Sequence, residues 1–493
     1  MRKLVAFWSL LLGSAVLSAG APAAPSADLC VGTQPGCFAT IQAAVDAAGD
    51  GDRIRIAPGT FQGGITILKD VELVGAGAGA TTIEGGGPVI TIGAFVGPGG
   101  PGQPTVSISR VTITGGLVDT EGVAAGGGVL IPFAGPGVPV ATVAISDSVI
   151  TGNRASPSGL FPPGPFCGPS PCAVAWGGGI DNGGDLTLTN TRISDNVAGS
   201  TSTDGSAATI AQGGGIRSHP DANLVLRHSL VSGNRAATSP PNGQFADGGG
   251  IADDGTLVLD TSVVTGNTSE VSAAVASTFP FDIRQSAMAG GIFSTGSATI
   301  ARSIVSRNSV RSSNTAGDAL ALAGGIDGDD EGTLFVLSDS DVAHNEVEAS
   351  VPDSSGSSAV AAVGGVSTRA VSTVRATSIR GNHVRAESAS GFVLAAGGGL
   401  GNVGQTTLLG TLVIGNSATA DGAFGAAQGG GINNVSVGGP DPRLTLSHSV
   451  VAANRLHGSP AIALQGGGIF TAFPVTLTRT LVAGNEPDQC FGC

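Results

Sequence analysis

Residues 177–196 read GGGIDNGGDLTLTNTRISDN: three glycines, a leucine alternation, then Ser or Thr, a β-branched residue and Asn. The phrase returns as GGGIRSHPDANLVLRHSLVSGN, ending at Asn234, and as GGGINNVSVGGPDPRLTLSHSVVAAN, ending at Asn454. Anchored on the Asn, ten copies end at Asn153, Asn196, Asn234, Asn267, Asn308, Asn345, Asn382, Asn416, Asn454 and Asn485. Five residues earlier stands Ser or Thr in all ten, three earlier Val or Ile, and eight earlier an aliphatic residue, from Ile145 to Leu477. A degenerate copy, VSISRVTITGG, puts Gly116 in place of the Asn. The spacing between Asn residues runs from 31 to 43. A unit written this often is the architecture itself.

The pattern converts into geometry. Side chains alternate along a strand, so positions ten and eight before the Asn share one face, as do positions five and three. The odd step between these pairs requires a bend if both are to face inward. Asp147, Asn190, His228 and Asp339 occupy that step, and Asn, Asp and His tolerate the left-handed conformation best. Each repeat therefore reads as two short strands meeting at a bend, with a third at the glycine run. No such strand buries anything alone, whereas stacked coils bury them all. The glycines serve either a left-handed backbone or a close approach between coils, and both readings stay open at this stage. Leucine-rich repeats lack this spacing. A propeller has roughly 4–8 blades, too few for these copies.

Composition narrows the class. The chain has 493 residues, 82 of them Gly, and 12% charged residues; repeats let one elongated domain absorb that length. Net charge is −14, and loss of Arg2 and Lys3 with a leader makes it −16. Only Lys3 and Lys69 are lysines, and no basic stripe is present, which argues against nucleic-acid binding. Residues 1–27 have a basic start, an apolar stretch and small residues, so they read as a secretory signal with cleavage after Ala19, Ala23 or Ala27. No second stretch approaches the ~18 apolar residues of a membrane span.

Six cysteines form three close pairs: Cys30/Cys37, Cys167/Cys172 and Cys490/Cys493. Export favours disulfides, and local pairing is the expectation among the 15 connectivities that six cysteines allow. A lone C-x-x-C without a second pair is a weak zinc signal.

Ile41, Ala44, Val45 and Ala48 follow a helical spacing, with Thr40 as N-cap and Gly49 just past the end. This short helix is the expected lid over the open end of the solenoid. The run TIQAAVDAA, then RIRIAPGTF, then ILKDVELVGAGAGATTIEGG resembles the opening of right-handed parallel β-helix proteins of the pectin-lyase-like superfamily. The repeats that follow resemble those of bacterial polymorphic outer-membrane-protein and adhesin-like β-helix proteins. The resemblance spans residues 37–486. It implies an all-β, single-stranded right-handed parallel β-helix of about twelve three-strand coils with a short N-terminal capping helix. Parallel crossovers are right-handed almost without exception. The expected organisation is a signal at 1–27, a cap at 28–60, β-helix repeats at 61–486 and a cysteine-containing tail at 487–493.

The stretches between each Asn and the next glycine run vary most in length. The longest is residues 154–176, and another follows Asn267 and contains TFPFDIRQSAM. Both are expected to protrude as loops from one side, where recognition on a rigid scaffold usually sits.

Enzymes of the resembled superfamily mostly cleave acidic polysaccharides, through calcium and an arginine base or through clustered aspartates. Their W-x-D-H, G-H-G and R-I-K stretches are missing here. The acidic candidates are Asp253 and Asp254, and the run Asp327, Asp329, Asp330 and Glu331. The second run resembles a calcium loop but carries Ser338 where a bidentate Glu is required. Of the histidines, His228 and His448 share the bend position, while His219, His344, His383 and His457 are scattered over different coils. Tyr, a residue suited to glycan stacking, is absent. No catalytic, cofactor or metal residues are therefore assigned. The expected role is an exported, non-catalytic surface or adhesion-type monomer, secreted or at the cell surface, without membrane insertion and with a polysaccharide or surface-protein ligand. The alternatives are a polysaccharide lyase or hydrolase and a purely structural module. A carboxylate cluster with Arg on adjacent coils is the feature that favours the enzyme.

Overall fold

Stacking turns the repeat into sheets that run the length of the molecule. The computed structural model describes residues 26–493 apart from 96–102, 134–136, 165–166, 168–169, 205–206, 240–242, 275–284, 329–332, 353–355 and 438–440. One coil shows the plan. It starts with a glycine-side strand, Ile180–Asn182, and continues through a long strand, Asp185–Thr189. The chain bends at Asn190 (φ 55°), forms Arg192–Ser194, and bends again at Asp195 (φ 57°). After Asn196 come two further strands, Val197–Ser200 leading outward and Ala208–Gln212 returning. A third bend, at Gly213 (φ 64°), opens the next coil.

The long strands form a 14-stranded sheet, and the two other strands nearest the axis form two 13-stranded sheets. The outgoing and returning strands form two more sheets of 10 strands each. Pairing between coils is parallel and places like over like, as in Leu186 beside Leu224 and Leu188 beside Leu226. The fold is thus the expected all-β parallel β-helix, with two corrections. Coils carry five strands where three were expected, and ten coils carry all five where about twelve were expected. The segments after most of these Asn residues are largely strand and not loop; after Asn153 and Asn267 the strands Arg154–Ala155 with Cys172–Trp176, and Thr268–Ala273 with Ser286–Met288, flank longer non-strand stretches. Their alternation was hidden because Ala, Ser and Thr supply little hydrophobic contrast.

Two cores result. The inner one, here the bore, is filled by Ile180, Leu186, Leu188 and Ile193, each at most 1% exposed, and by their equivalents in other coils. The outgoing and returning sheets pack on each other as a lateral fin whose core is mostly Ala and Val, including Ala287, Val310, Ala321 and Val347. Near the N-terminal end the fin core continues through Ala155, Ala175 and Ala198.

The Asn of each repeat is the joint between the two. Asn196 Nδ2 donates to Asn234 Oδ1 at 3.0 Å and to the Ile150 carbonyl at 3.0 Å. The same Oδ1 accepts the Asn196 backbone N–H at 3.1 Å. This ladder runs from Asn153 to Asn485, where Gln489 Oε1 stands in for the next rung at 3.0 Å. The Ser/Thr position makes a second ladder, with Ser229 N–H donating to Ser262 Oγ at 3.0 Å.

The glycines have separate reasons. The first of each triplet takes the left-handed bend, yet Ala289, Ala323 and Val363 hold it with φ of 45°, 58° and 63°. The second and third have no room for a side chain. A Cβ on Gly214 would lie 2.4 Å from Gly249 O, and one on Gly215 would lie 2.6 Å from Gly250 O and 3.0 Å from Asn234 Nδ2. Close approach, more than backbone conformation, keeps this pair as glycine.

The bend residues behave as expected, Asp147, Asn190, His228 and Asp339 having φ of 49°, 55°, 50° and 52°. The helix Ile41–Ala47 buries Ile41, Ala44 and Val45, and Thr40 Oγ1 accepts the Ala43 N–H at 3.2 Å. Cys30 is bonded to Cys37, Cys167 to Cys172 and Cys490 to Cys493. The first brackets the lid, the second lies at the base of the longest insertion, and the third ties the C-terminal tail.

Candidate functional site: a charged crevice at the glycine bend

The bend at the glycine run is very tight. A Cβ on Gly177 would lie 2.1 Å from Ile180 O and 2.7 Å from Asp181 N. Side chains at the end of the returning strand and at the second position of the glycine-side strand therefore crowd one concave corner. Along three successive coils the returning strands bring Trp176, Gln212 and Asp247 into register. The glycine-side strands align Asp181, Arg217 and Ala252.

Four charged or titratable side chains are buried there: Asp181 (2% exposed), Arg217, His219 and Asp247 (4% each). His219 Nε2 lies 3.0 Å from Asp181 Oδ1 and 3.1 Å from Oδ2. Arg217 pairs with the Asp254 carboxylate and donates to the Ser218 carbonyl at 2.8 Å. Thr295 Oγ1 donates to Asp254 at 2.8 Å. Trp176 Nε1 donates to Gln212 at 3.0 Å, and Gln212 Nε2 donates onward to Asp247 at 3.1 Å. Phe133 stacks on the His219 ring at 4.8 Å, while Trp176 meets the same ring edge-on at 5.0 Å. Gly183 makes room for Phe133, since a Cβ there would lie 2.1 Å from Phe133 Cα.

Asp253 lies on the other face of the same strand. Alternation puts it with Ile251, a bore residue. It is fully buried, and neither carboxyl oxygen makes a hydrogen bond of good geometry, although Ser218 and the Gly255 backbone N–H lie near it. Burial pushes its carboxyl up to about 7, Asp254 adds to the rise, and Ser218, Arg217 and the Gly255 backbone oppose it.

The sequence candidates are thus divided. Asp254 joins the crevice, Asp253 points into the bore, and Asp327 falls in the same outward column as Arg217, three coils on. Asp329, Asp330 and Glu331 lie outside the described residues, as does most of TFPFDIRQSAM. His448 stands at a bend as expected, and His344 occupies one too (φ 51° and 56°). His383 and His457 lie on outgoing fin strands. The pairing of His219 with Asp181 was not legible, because the two stand 38 residues apart in the chain. Aligning the coils on the glycine triplet would have shown Asp181 and Arg217 in one column.

Among the described residues no group of three or more His, Cys, Asp or Glu could hold a metal ion, and no helix is long and apolar enough to cross a membrane.

No family model and no curated protein matches the chain. Among solved structures it is similar to the A-module of a mannuronan C-5 epimerase, AlgE6, of Azotobacter vinelandii, at 15% identity and TM-score 0.37, over 90% of this chain and 95% of that one. It is also similar to the pectin methylesterase PemA of Erwinia chrysanthemi (11%, TM-score 0.26, 65% and 80%). A third likeness is to an alginate lyase of a Paenibacillus species (11%, TM-score 0.19, 90% and 99%). These are likenesses of fold alone. The strand stacking itself defines the fold as a parallel β-helix.

Proposed function

We propose that the chain is an exported, non-catalytic β-helix protein that recognises a surface ligand, glycan or protein, at the outer rim of the fin. The observation that carries this reading is the rim itself. Among the described residues the outgoing strands end and the returning strands begin there, separated by stretches of variable length, and Phe161 and Phe424 are exposed there by 41% and 54%. Phe424 is backed by Phe392 at 6.0 Å. Variable turns and exposed rings on a rigid sheet edge are the usual ground for recognition. The leader-like residues 1–27 and the three disulfides support export.

The crevice supports a second reading. Asp181, His219, Arg217 and Asp254 come from adjacent coils, the arrangement that favours a polysaccharide-active enzyme, and an Asp-held His is a familiar general base. Each of these groups, however, is already paired, and all but Asp254 are almost wholly removed from water.

One experiment separates the two. The secreted protein is assayed on pectate, alginate and chondroitin with and without calcium, and its binding to cells or matrix is measured in parallel. The expected result is no cleavage, with binding lost when residues 163–170 are removed and Cys172 is changed to Ser. The shortening keeps the strand Cys172–Trp176, which belongs to the fin. Cleavage abolished by His219→Gln or Asp181→Asn would replace this reading with the enzyme.

A further inference from the structure

Pairing between coils sets Asn182, Ser218, Asp253 and Ser294 in one inward column of the glycine-side sheet. The column is otherwise neutral and hydrogen-bonding, as where Asn182 Nδ2 donates to Ser218 Oγ at 3.2 Å. Asp253 alone brings a carboxyl to it. That carboxyl makes no hydrogen bond of good geometry, and its chain neighbour Asp254 instead holds Arg217 at the crevice. One peptide unit therefore couples an unpaired interior acid to the clamp on the crevice arginine.

We propose that Asp253 is a proton-operated latch on the crevice. In its neutral form it rests among the hydroxyls of Ser218 and Ser294. When ionised it has no counter-charge inside the bore, and it is driven toward water. The same movement carries Asp254 off Arg217 and loosens the two coils that hold Arg217, His219 and Asp254. The charged groups acting on Asp253 are Asp254, in its own turn, and Arg217, from the preceding coil. Asp254 disfavours the ionised form, while Arg217 favours it from the far side of the strand. Desolvation outweighs both.

The direction follows from linkage. A carboxyl whose folded value lies above its unfolded one keeps its proton longer in the folded state. Stability is then highest below the unfolded value, near 3.9, and falls as pH rises toward the folded value. The change reaches its limit above about 7. The effect should be confined to the coils around Asp253, because a solenoid transmits mainly to nearest neighbours.

The test is hydrogen exchange of the full chain at pH 5 and pH 8, corrected for intrinsic rates and read on peptides from residues 213–234 and 248–267. Corrected exchange should be about a hundredfold faster at pH 8 in those coils, one decade for each of the roughly two pH units between 5 and the folded value near 7, and unchanged in coils beyond residue 340. Asp253→Asn should abolish the difference. Asn occupies this register at Asn182, Asn402 and Asn434, so the chain already accepts it there. If that variant fails to fold, Asp253→Ser, the residue of both flanking coils, serves in its place. Equal exchange at the two pH values in the parent, or an unchanged difference in the variant that folds, would overturn the latch. Neither result depends on what the fin binds.

Discussion

The bore and the fin are made by the same repeat and stacked by the same coils, yet they are held together differently. The bore is packed with Ile, Leu and Val from three sheets and closed at one end by a helix. The fin is two sheets face to face over Ala with intermittent Val. Large branched side chains bury more area per residue, roughly 25 cal/mol per Å2, so the bore carries most of the hydrophobic stabilisation. The fin relies more on backbone pairing and on its covalent attachment to each rung of the Asn ladder. A scaffold built this way keeps its axis rigid while its lateral sheets and their turns change length.

The largest expected effect strikes the joint between the two. Gly250→Ala puts a Cβ 2.6 Å from Gly291 O and 3.0 Å from Asn267 Nδ2. Overpacking and a broken rung together should cost about 4 kcal/mol, read as a lower urea midpoint with lost protection in both bore and fin of that coil. A change confined to the fin would show that the ladder does not join them.

Matched truncations weigh the two cores directly. Val264→Ala in the bore and Val347→Ala in the fin remove the same atoms from fully buried sites. The bore variant should lose about 3 kcal/mol and the fin variant about 1.5, since a cavity among branched side chains collapses less than one between two thin sheets. Equal losses measured by chemical unfolding would erase the distinction.

A smaller effect is tied to pH. Burial holds the His383 imidazole, on an outgoing fin strand, below its usual value of 6.5. The charges of Arg385 and His457 lower it further, against Glu346 and Glu348. Its contribution to stability is therefore present above 6.5 and lost as pH falls below it. His383→Gln should flatten that slope for the fin in exchange measurements and leave the bore unchanged. Smallest of all, Arg311→Ala removes an exposed ion pair with Glu348 at 3.7 Å. It should cost no more than about 0.5 kcal/mol in thermal unfolding.

Much of this was legible in the residues. The aliphatic and Ser/Thr spacings located two of the five strands and their bend, the glycine run located a third, and the lid helix followed from Ile41, Ala44 and Val45 with Thr40 as its cap. Missing were the inward stacking of the Asn side chains, the fin and the crevice. The fin strands escaped because Ala, Ser and Thr blur the period-two contrast. The two glycine functions could not be separated until Ala289, Ala323 and Val363 were seen to hold the bend while the following pairs stayed glycine.

What the chain determines by itself is the unit: which residues alternate, where the backbone turns left-handed, and how often the unit recurs. These depend on neighbours within about ten positions and survive any uncertainty about the rest. Only the tertiary structure decided which coil lies beside which side chain. Asp181 reaches His219 and Arg217 reaches Asp254 across 38 and 37 residues, through register between coils of unequal length. It also decided that Asp253, the last residue of a glycine-side strand, is buried toward the bore while Asp254, in the bend that follows, pairs with Arg217. One meets the dry bore and the other the wetter crevice, so two identical carboxyls come to differ in what they can hold.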